Sequence, residues 1–302
     1  MSEQTRAQGP TKESGTGTGT WEHGRTEVDG VDLHWVHAGR AGGTPVVLLH
    51  GWPQTWYAWR KVIPVLAQQY EVYAIDLPGL GDSGSSSLGH GVRIAADLLD
   101  GWRAALDLPR VHVVGHDLGG PIGYAWAASR PGHVGSFALI GVPLHGFGLK
   151  ELIARAGLWH FGFFSVPGLA EGLSQGREQV LLEYFYRHAL DAGAVRPDDI
   201  AEYLRSYAQP ERLANGFAYY RGLDADTAEI TALARTKLPM PALAVGCGQA
   251  GGPAPLDSLA EVASDVRGEV VAESGHYVAE EQPDRLSALL LDFFERASVR
   301  TS

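Results

Sequence analysis

The stretch from Val111 to Gly120, Val-His-Val-Val-Gly-His-Asp-Leu-Gly-Gly, narrows what this chain can fold into more than any other. Val111, Val113 and Val114 bracket His112 and read as a buried strand, and the run beginning at Ile122 reads as a helix. Between them, Gly115 and Gly119 stand two residues either side of Asp117. A strand that turns sharply into a helix leaves no room for side chains at those flanking positions. The strained turn then presents the one residue between them. Here that residue is a carboxylate.

The rest of the chain supplies the sheet such a turn needs. From Thr26 to His37 two short alternating runs flank Asp29-Gly30, a hairpin signal. Val46–Leu49 is a continuous apolar run ending in His50-Gly51-Trp52-Pro53, with a helix expected from Trp56 to Ala67. Val72–Ile75 is the next strand, closing on Asp76-Leu77-Pro78-Gly79-Leu80-Gly81-Asp82-Ser83, and Ile94–Leu106 has helical spacing. After the turn, Phe137–Ile140 is another buried strand. A helical block follows, with aromatic clusters near its start (Trp159, Phe161, Phe163, Phe164) and end (Phe217, Tyr219, Tyr220). Strand and helix resume with Ala242–Val245, a helix near 256–266, Glu269–Val271 and a last helix over 279–294. This alternation predicts an α/β fold: a mostly parallel eight-stranded sheet with helices on both faces. Residues 21–144 and 226–302 form its core, and 145–225 a helical cap inserted after the sixth strand.

Composition removes several classes of function. A formal net charge of −11 with no basic run argues against a nucleic-acid partner. The lone Cys247 excludes an intramolecular disulfide, suits a reducing compartment, and sits in an apolar strand where packing is its expected role. No apolar stretch is long enough to span a bilayer, and the Gly/Thr-rich segment 1–20 lacks the apolar stretch of a secretory signal. A disordered tail over 1–20, a cytoplasmic location and no membrane partner are the corresponding expectations.

Four motifs stand in order, each at a strand end: His50-Gly51-Trp52-Pro53 with Trp56–Arg60, Asp76–Ser83, Gly115–Gly120, and Ser274-Gly275-His276 running on to Pro283. Any one is weak; together and in order they are specific. On these residues the chain, from about Thr26 to Ala297, resembles the epoxide hydrolase and fluoroacetate dehalogenase-like branch of the α/β-hydrolase fold. The resemblance implies a cofactor-independent enzyme with no metal, acting on a hydrophobic small molecule; a homodimer is left open.

Asp117 also has a chemical rationale of its own. A carboxylate that attacks an sp3 carbon displaces an epoxide oxygen or a halide and leaves an ester, which water cleaves at its carbonyl. The bland alternative is that Asp117 only caps the following helix. His276 is the expected general base toward that water, and His116 is expected to pack against the sheet. The backbone N–H groups of Trp52 and Leu118 are expected to form an oxyanion hole. The resemblance makes Tyr220, in Tyr220-Arg221, the candidate proton donor to the leaving oxygen, with His160 as helper and Tyr186 and Tyr219 as rivals. For each cap tyrosine an amphipathic core role stands beside the catalytic one. His50, Trp52, Trp159, Phe161, Tyr186 and Tyr219 are the expected substrate-binding set. Leu118 stands where haloalkane dehalogenases place a halide-holding Trp, and Leu118 and Pro121 offer no charge to a haloacid, so a hydrophobic epoxide is favoured.

One part of the pattern is missing. A third residue, an acid, should orient His276. The resemblance puts it after the sixth or the seventh strand, and this chain has Gly141 and Gly248 there. Asp257, Glu280 or Glu281 remain as substitutes. Slow hydrolysis, a non-hydrolytic reaction (isomerisation, elimination or cyclisation), dehalogenation and a non-catalytic binding protein all remain open.

Overall fold

The computed structural model describes residues 7–13, 21–187, 189 and 193–299. Its strands are β1 (Ala7–Glu13), β2 (Trp21–Val28), β3 (Val31–Ala38), β4 (Pro45–Leu49), β5 (Glu71–Ile75), β6 (Val111–His116), β7 (Val134–Ile140), β8 (Ala242–Cys247) and β9 (Val266–Val271). They join in one sheet ordered β1-β2-β3-β5-β4-β6-β7-β8-β9. The β1, β2, β3 and β5 neighbours run antiparallel; from β5 through β4 to β9 every neighbouring pair is parallel.

Eight of these strands are the expected ones. The ninth, β1, lies inside the segment expected to be disordered, and it pairs with β2 from Ala7↔Thr26 to Glu13↔Trp21 across a register shift. Composition does not reveal it because an edge strand is held by main-chain hydrogen bonds to its neighbour, which leave no apolar pattern in its own residues. Residues 1–6 and 14–20 of that expected tail lie outside the described residues.

Along the parallel strands alternate residues face opposite sides, and both sides are covered. Val47, Leu49, Val113, Phe137 and Leu139 pack under helices Val92–Ala105 and Gly119–Ser129. Val46, Leu48, Val114, Ala138 and Ile140 pack against Ile63–Leu66 and Pro283–Val299. This two-sided burial is why the strands read as continuous apolar runs. Each fully buried Val or Leu contributes about 1.5–3 kcal/mol. The hairpin turn also forms as expected, with Asp29 and Gly30 both at positive φ and Val28 paired with Val31.

Three helices differ from expectation. The Trp56–Ala67 run is a 3₁₀ turn, Trp56–Trp59, followed by Ile63–Leu66, which has Pro64 in its first turn. The helix expected near 256–266 ends at Val262, and β9 starts at Val266. The last helix is split: Val278–Glu281 ends just before Pro283, which opens Pro283–Val299 without needing an N–H. Between β7 and β8 the described chain is helical, from Leu149–Ala156 to Leu223–Leu233. The last of these helices straddles the expected cap boundary at 225 and packs on the core helices Val92–Ala105 and Gly119–Ser129.

A buried charge cluster ties the helices between β7 and β8 to the rest of the fold. Arg60, after the 3₁₀ turn, pairs with Asp199 of helix Pro197–Tyr207 at 2.9 Å and with Glu280 at 2.6 Å, and Tyr203 donates to Glu280. Glu280 belongs to the short helix directly after His276.

Candidate active site

The turn at the end of β6 holds Asp117 at φ 50°, a left-handed conformation that costs a non-glycine residue of order 1–3 kcal/mol. Close backbone packing fixes it there. A Cβ at Gly115 would lie 2.1 Å from the Gly119 carbonyl oxygen, and one at Gly119 would lie 2.4 Å from that of Leu49. One at Gly51 would lie 2.2 Å from the Asp117 Cβ. The side chain therefore rises above the carboxyl ends of the parallel strands, where open α/β sheets bind their ligands.

Asp117 Oδ1 accepts the Trp52 N–H at 2.9 Å, and the Leu118 N–H also bonds the carboxylate. These are the two main-chain donors expected to hold an oxyanion. Helix Gly119–Ser129 has no side-chain cap, so the carboxylate is not used for capping. His276 Nε2 stands 3.5 Å from Asp117 Oδ2. Burial pushes the Asp117 carboxyl up, but His276 outweighs it, with help from His116 and the Leu118 N–H. The net result lies well below the ordinary carboxylate range, so Asp117 is ionised at neutral pH.

A cavity of about 370 Å³ opens over this floor, with Tyr220, His160 and Phe161 among its cap walls. Trp159 lines it while 47% exposed, its indole N–H donating to the Tyr184 hydroxyl at 2.9 Å. Among the described residues no lysine or arginine lines it, so none offers a permanent positive charge to an anionic substrate. The Tyr220 ring meets those of Trp52 at 5.8 Å, His160 at 5.7 Å and Phe161 at 5.1 Å. Burial, then the nearby Asp117 charge, raise its phenol well above the ordinary value, so it stays protonated.

The cavity thus brings together Asp117, His276, Trp52, Tyr220, His160, Trp159 and Phe161, with the Leu118 N–H at its floor. Three expected residues are not part of it. The Tyr186 hydroxyl donates to the Pro53 carbonyl and that of Tyr219 to the Pro78 carbonyl at 2.9 Å. Both tyrosines therefore brace loops of the core, which corrects their roles as rival donors and substrate contacts. His50 is fully buried; its Nδ1–H donates to Gly51 O at 2.8 Å, and its Nε2 accepts the Leu77 N–H at 3.1 Å. It fixes the two loops beneath Asp117 and does not line the cavity. Tyr184, Phe185, Gln249 and Tyr277 line the cavity without having been singled out. Tyr277 and Gln249 had a signal, since they directly follow His276 and Gly248; Tyr184 and Phe185 had none beyond helical spacing.

The gap in the pattern is real in space. Among the described residues the carboxylate paired with the His276 ring is that of Asp117 itself. Glu280 is committed to Arg60 and Tyr203, and Asp257 is exposed. Glu281 does reach the His276 turn, but through its backbone: its two oxygens accept the N–H groups of Gly275 and Tyr277, each at 2.9 Å. A Cβ at Gly248 would lie 2.4 Å from the Ala272 carbonyl, so that position has no space for an acid.

His34, Asp76 and Asp82 have ligand-like spacing. Their polar atoms are already engaged. His34 Nδ1 bonds Asp76 at 2.8 Å, Asp76 accepts the N–H groups of Trp56 and Asp82, and Asp82 pairs with Arg205 at 2.9 Å. The group reads as a knot that holds the loops after β4 and β5.

The fold defines a hydrolase-type scaffold, and the comparisons agree on that scaffold. The family described as alpha/beta hydrolase fold matches residues 44–283, and that described as epoxide hydrolase N terminus matches 14–59. The chain belongs to the α/β-hydrolase fold family, in its epoxide hydrolase branch. It is 35% identical over 280 residues to a soluble epoxide hydrolase of Corynebacterium sp. (strain C12), covering 90% of this chain and 96% of that one. To epoxide hydrolase B of Mycobacterium tuberculosis it is 27% identical, covering 83% and 91% of the two chains. The crystal structure of Cfl2 from Burkholderia cenocepacia superposes with a TM-score of 0.89 at 36% identity, over 95% of this chain and all of that one.

Proposed function

We propose that the protein hydrolyses a neutral, hydrophobic epoxide through an ester on Asp117. One observation carries the reading: an ionised carboxylate, already met by the Trp52 and Leu118 N–H groups and by His276, forms the floor of an aromatic cavity under Tyr220. Asp117 attacks an epoxide carbon. The C–O bond breaks, and the departing alkoxide takes the proton of the Tyr220 hydroxyl, with His160 beside it. His276 then removes a proton from water, which attacks the Asp117 carbonyl carbon. The Trp52 and Leu118 N–H groups hold the resulting oxyanion. Its collapse expels the alkoxide of the product, which takes the proton held by His276 and leaves as the diol. The proton left on the Asp117 carboxyl passes through solvent to the Tyr220 phenolate, so that all three groups are restored. The two relatives described above as epoxide hydrolases support this choice of substrate.

Styrene oxide tests it. The expected product is the diol, with Asp117→Ala lowering turnover at least about 10³-fold. His276→Gln should accumulate protein heavier by one substrate mass. That no second acid meets the His276 ring among the described residues favours a second reading, in which the reaction stops short of water. A product of unchanged mass, with no adduct in His276→Gln, would establish that one instead.

A further inference from the structure

Among the described residues no carboxylate besides Asp117 meets the His276 ring, yet the ring stands in place over Asp117. Gly141, at the end of β7, is where one acid would be expected, and its φ is +79°. A Cβ there would lie 3.1 Å from Cδ2 and 3.2 Å from Nε2 of His116, and 3.7 Å from the Cys247 sulfur. The space beside Gly141 therefore belongs to an imidazole. His116 is buried, one residue before the nucleophile, and its ring lies 4.8 Å from that of His276. Its Nε2 is 2.8 Å from the His276 carbonyl oxygen. A carbonyl only accepts, so Nε2 carries the proton.

We infer that His116 is the positioning residue for His276: it occupies the ground of the absent acid and fixes the general base by its main chain instead of its ring. Glu281 completes the arrangement from the other side, holding the N–H groups of Gly275 and Tyr277. His276 is thus anchored at the carbonyl and at both flanking amides, while among the described residues its ring meets no carboxylate but that of Asp117. Burial, and then the neighbouring His276 charge, push His116 down to about 3, so it remains a neutral donor at neutral pH. An acid-held ring would gain stabilisation of its imidazolium; a backbone-held one gains placement alone. The role should therefore appear in ester hydrolysis, the step that uses His276, and not in ester formation, which uses Asp117 and the cap.

This rests on the proposed ester mechanism, and rapid-quench mass measurement with styrene oxide separates the two. In His116→Leu the ester should form at the wild-type rate and decay about tenfold more slowly, the usual consequence of losing one orienting hydrogen bond. His116→Gln, which retains an N–H in the Nε2 position, should decay near the wild-type rate. His116→Asn, too short to reach the carbonyl, replaces Leu if that variant does not fold. If Leu (or Asn) and Gln variants behave alike, or slow both steps equally, His116 is a packing residue and the inference fails. If wild type forms no ester at all, the proposed mechanism fails and this inference with it.

Discussion

Among the buried tyrosines of the helices between β7 and β8, Tyr186, Tyr219 and Tyr220 differ in where their hydroxyls stand. Tyr186 and Tyr219 donate to main-chain carbonyls of the core, so their protons hold loops together. Tyr220 instead lines the cavity over Asp117 with its phenol held protonated by burial. Tyr220→Phe is therefore expected to lower kcat/KM for styrene oxide about 10²-fold, the scale of losing a general acid. Its melting temperature should stay close to wild type, whereas Tyr186→Phe should lower stability by about 1 kcal/mol and spare the chemistry. Steady-state kinetics and thermal melts on the two variants check this; equal kinetic losses would remove Tyr220 from the mechanism. Sequence could place Asp117, His276 and the Trp52 N–H because each sits in a short run whose backbone geometry is set locally. It could not rank the tyrosines, since the carbonyls that claim Tyr186 and Tyr219 lie more than a hundred positions away.

Elements were legible where one period decided them. The parallel strands show as apolar runs because both faces are covered, and the hairpin shows in Asp29-Gly30. β1 was not legible, because its partner strand and not its own composition makes it a strand. The join between the helix Leu223–Leu233 and the core was equally hidden. Asp226 of that helix accepts the Val92 N–H at 2.9 Å, capping the helix Val92–Ala105 from a distance. Burial raises the Asp226 carboxyl to about 6, beyond what the Val92 N–H offsets. A raised folded pKa means the stabilising form is the protonated one. That contribution is complete below the unfolded value of about 3.9 and is lost as pH rises through about 6. Asp226→Asn keeps an acceptor for Val92 and removes the charge. It should be more stable than wild type at pH 7.5, by at most about 3 kcal/mol, with the difference shrinking toward pH 4. Denaturant melts at the two pH values check this, and a difference independent of pH would contradict it.

At the scale of the whole molecule, the sheet supplies the reacting groups and the cap encloses them. Loops after β4, β6, β7, β8 and β9 bring Trp52, Asp117, Gly141, Gln249 and His276 to one end of the sheet, and cap residues close over them. The Arg60 cluster joins the helix Pro197–Tyr207 to the helix that follows His276, so the proposed base and the helices over the cavity share an anchor. Sequence showed that both acid positions were empty; only the packed chain shows that His116 and the Ala272 backbone fill them. The central claim is that Asp117 becomes an ester which water opens at the carboxyl carbon. A single turnover in oxygen-18 water, with enzyme in excess over styrene oxide, tests it most directly. The account predicts label in the peptide carrying Asp117 and none in the diol; label in the diol with an unlabelled Asp117 would mean that water attacks the epoxide itself.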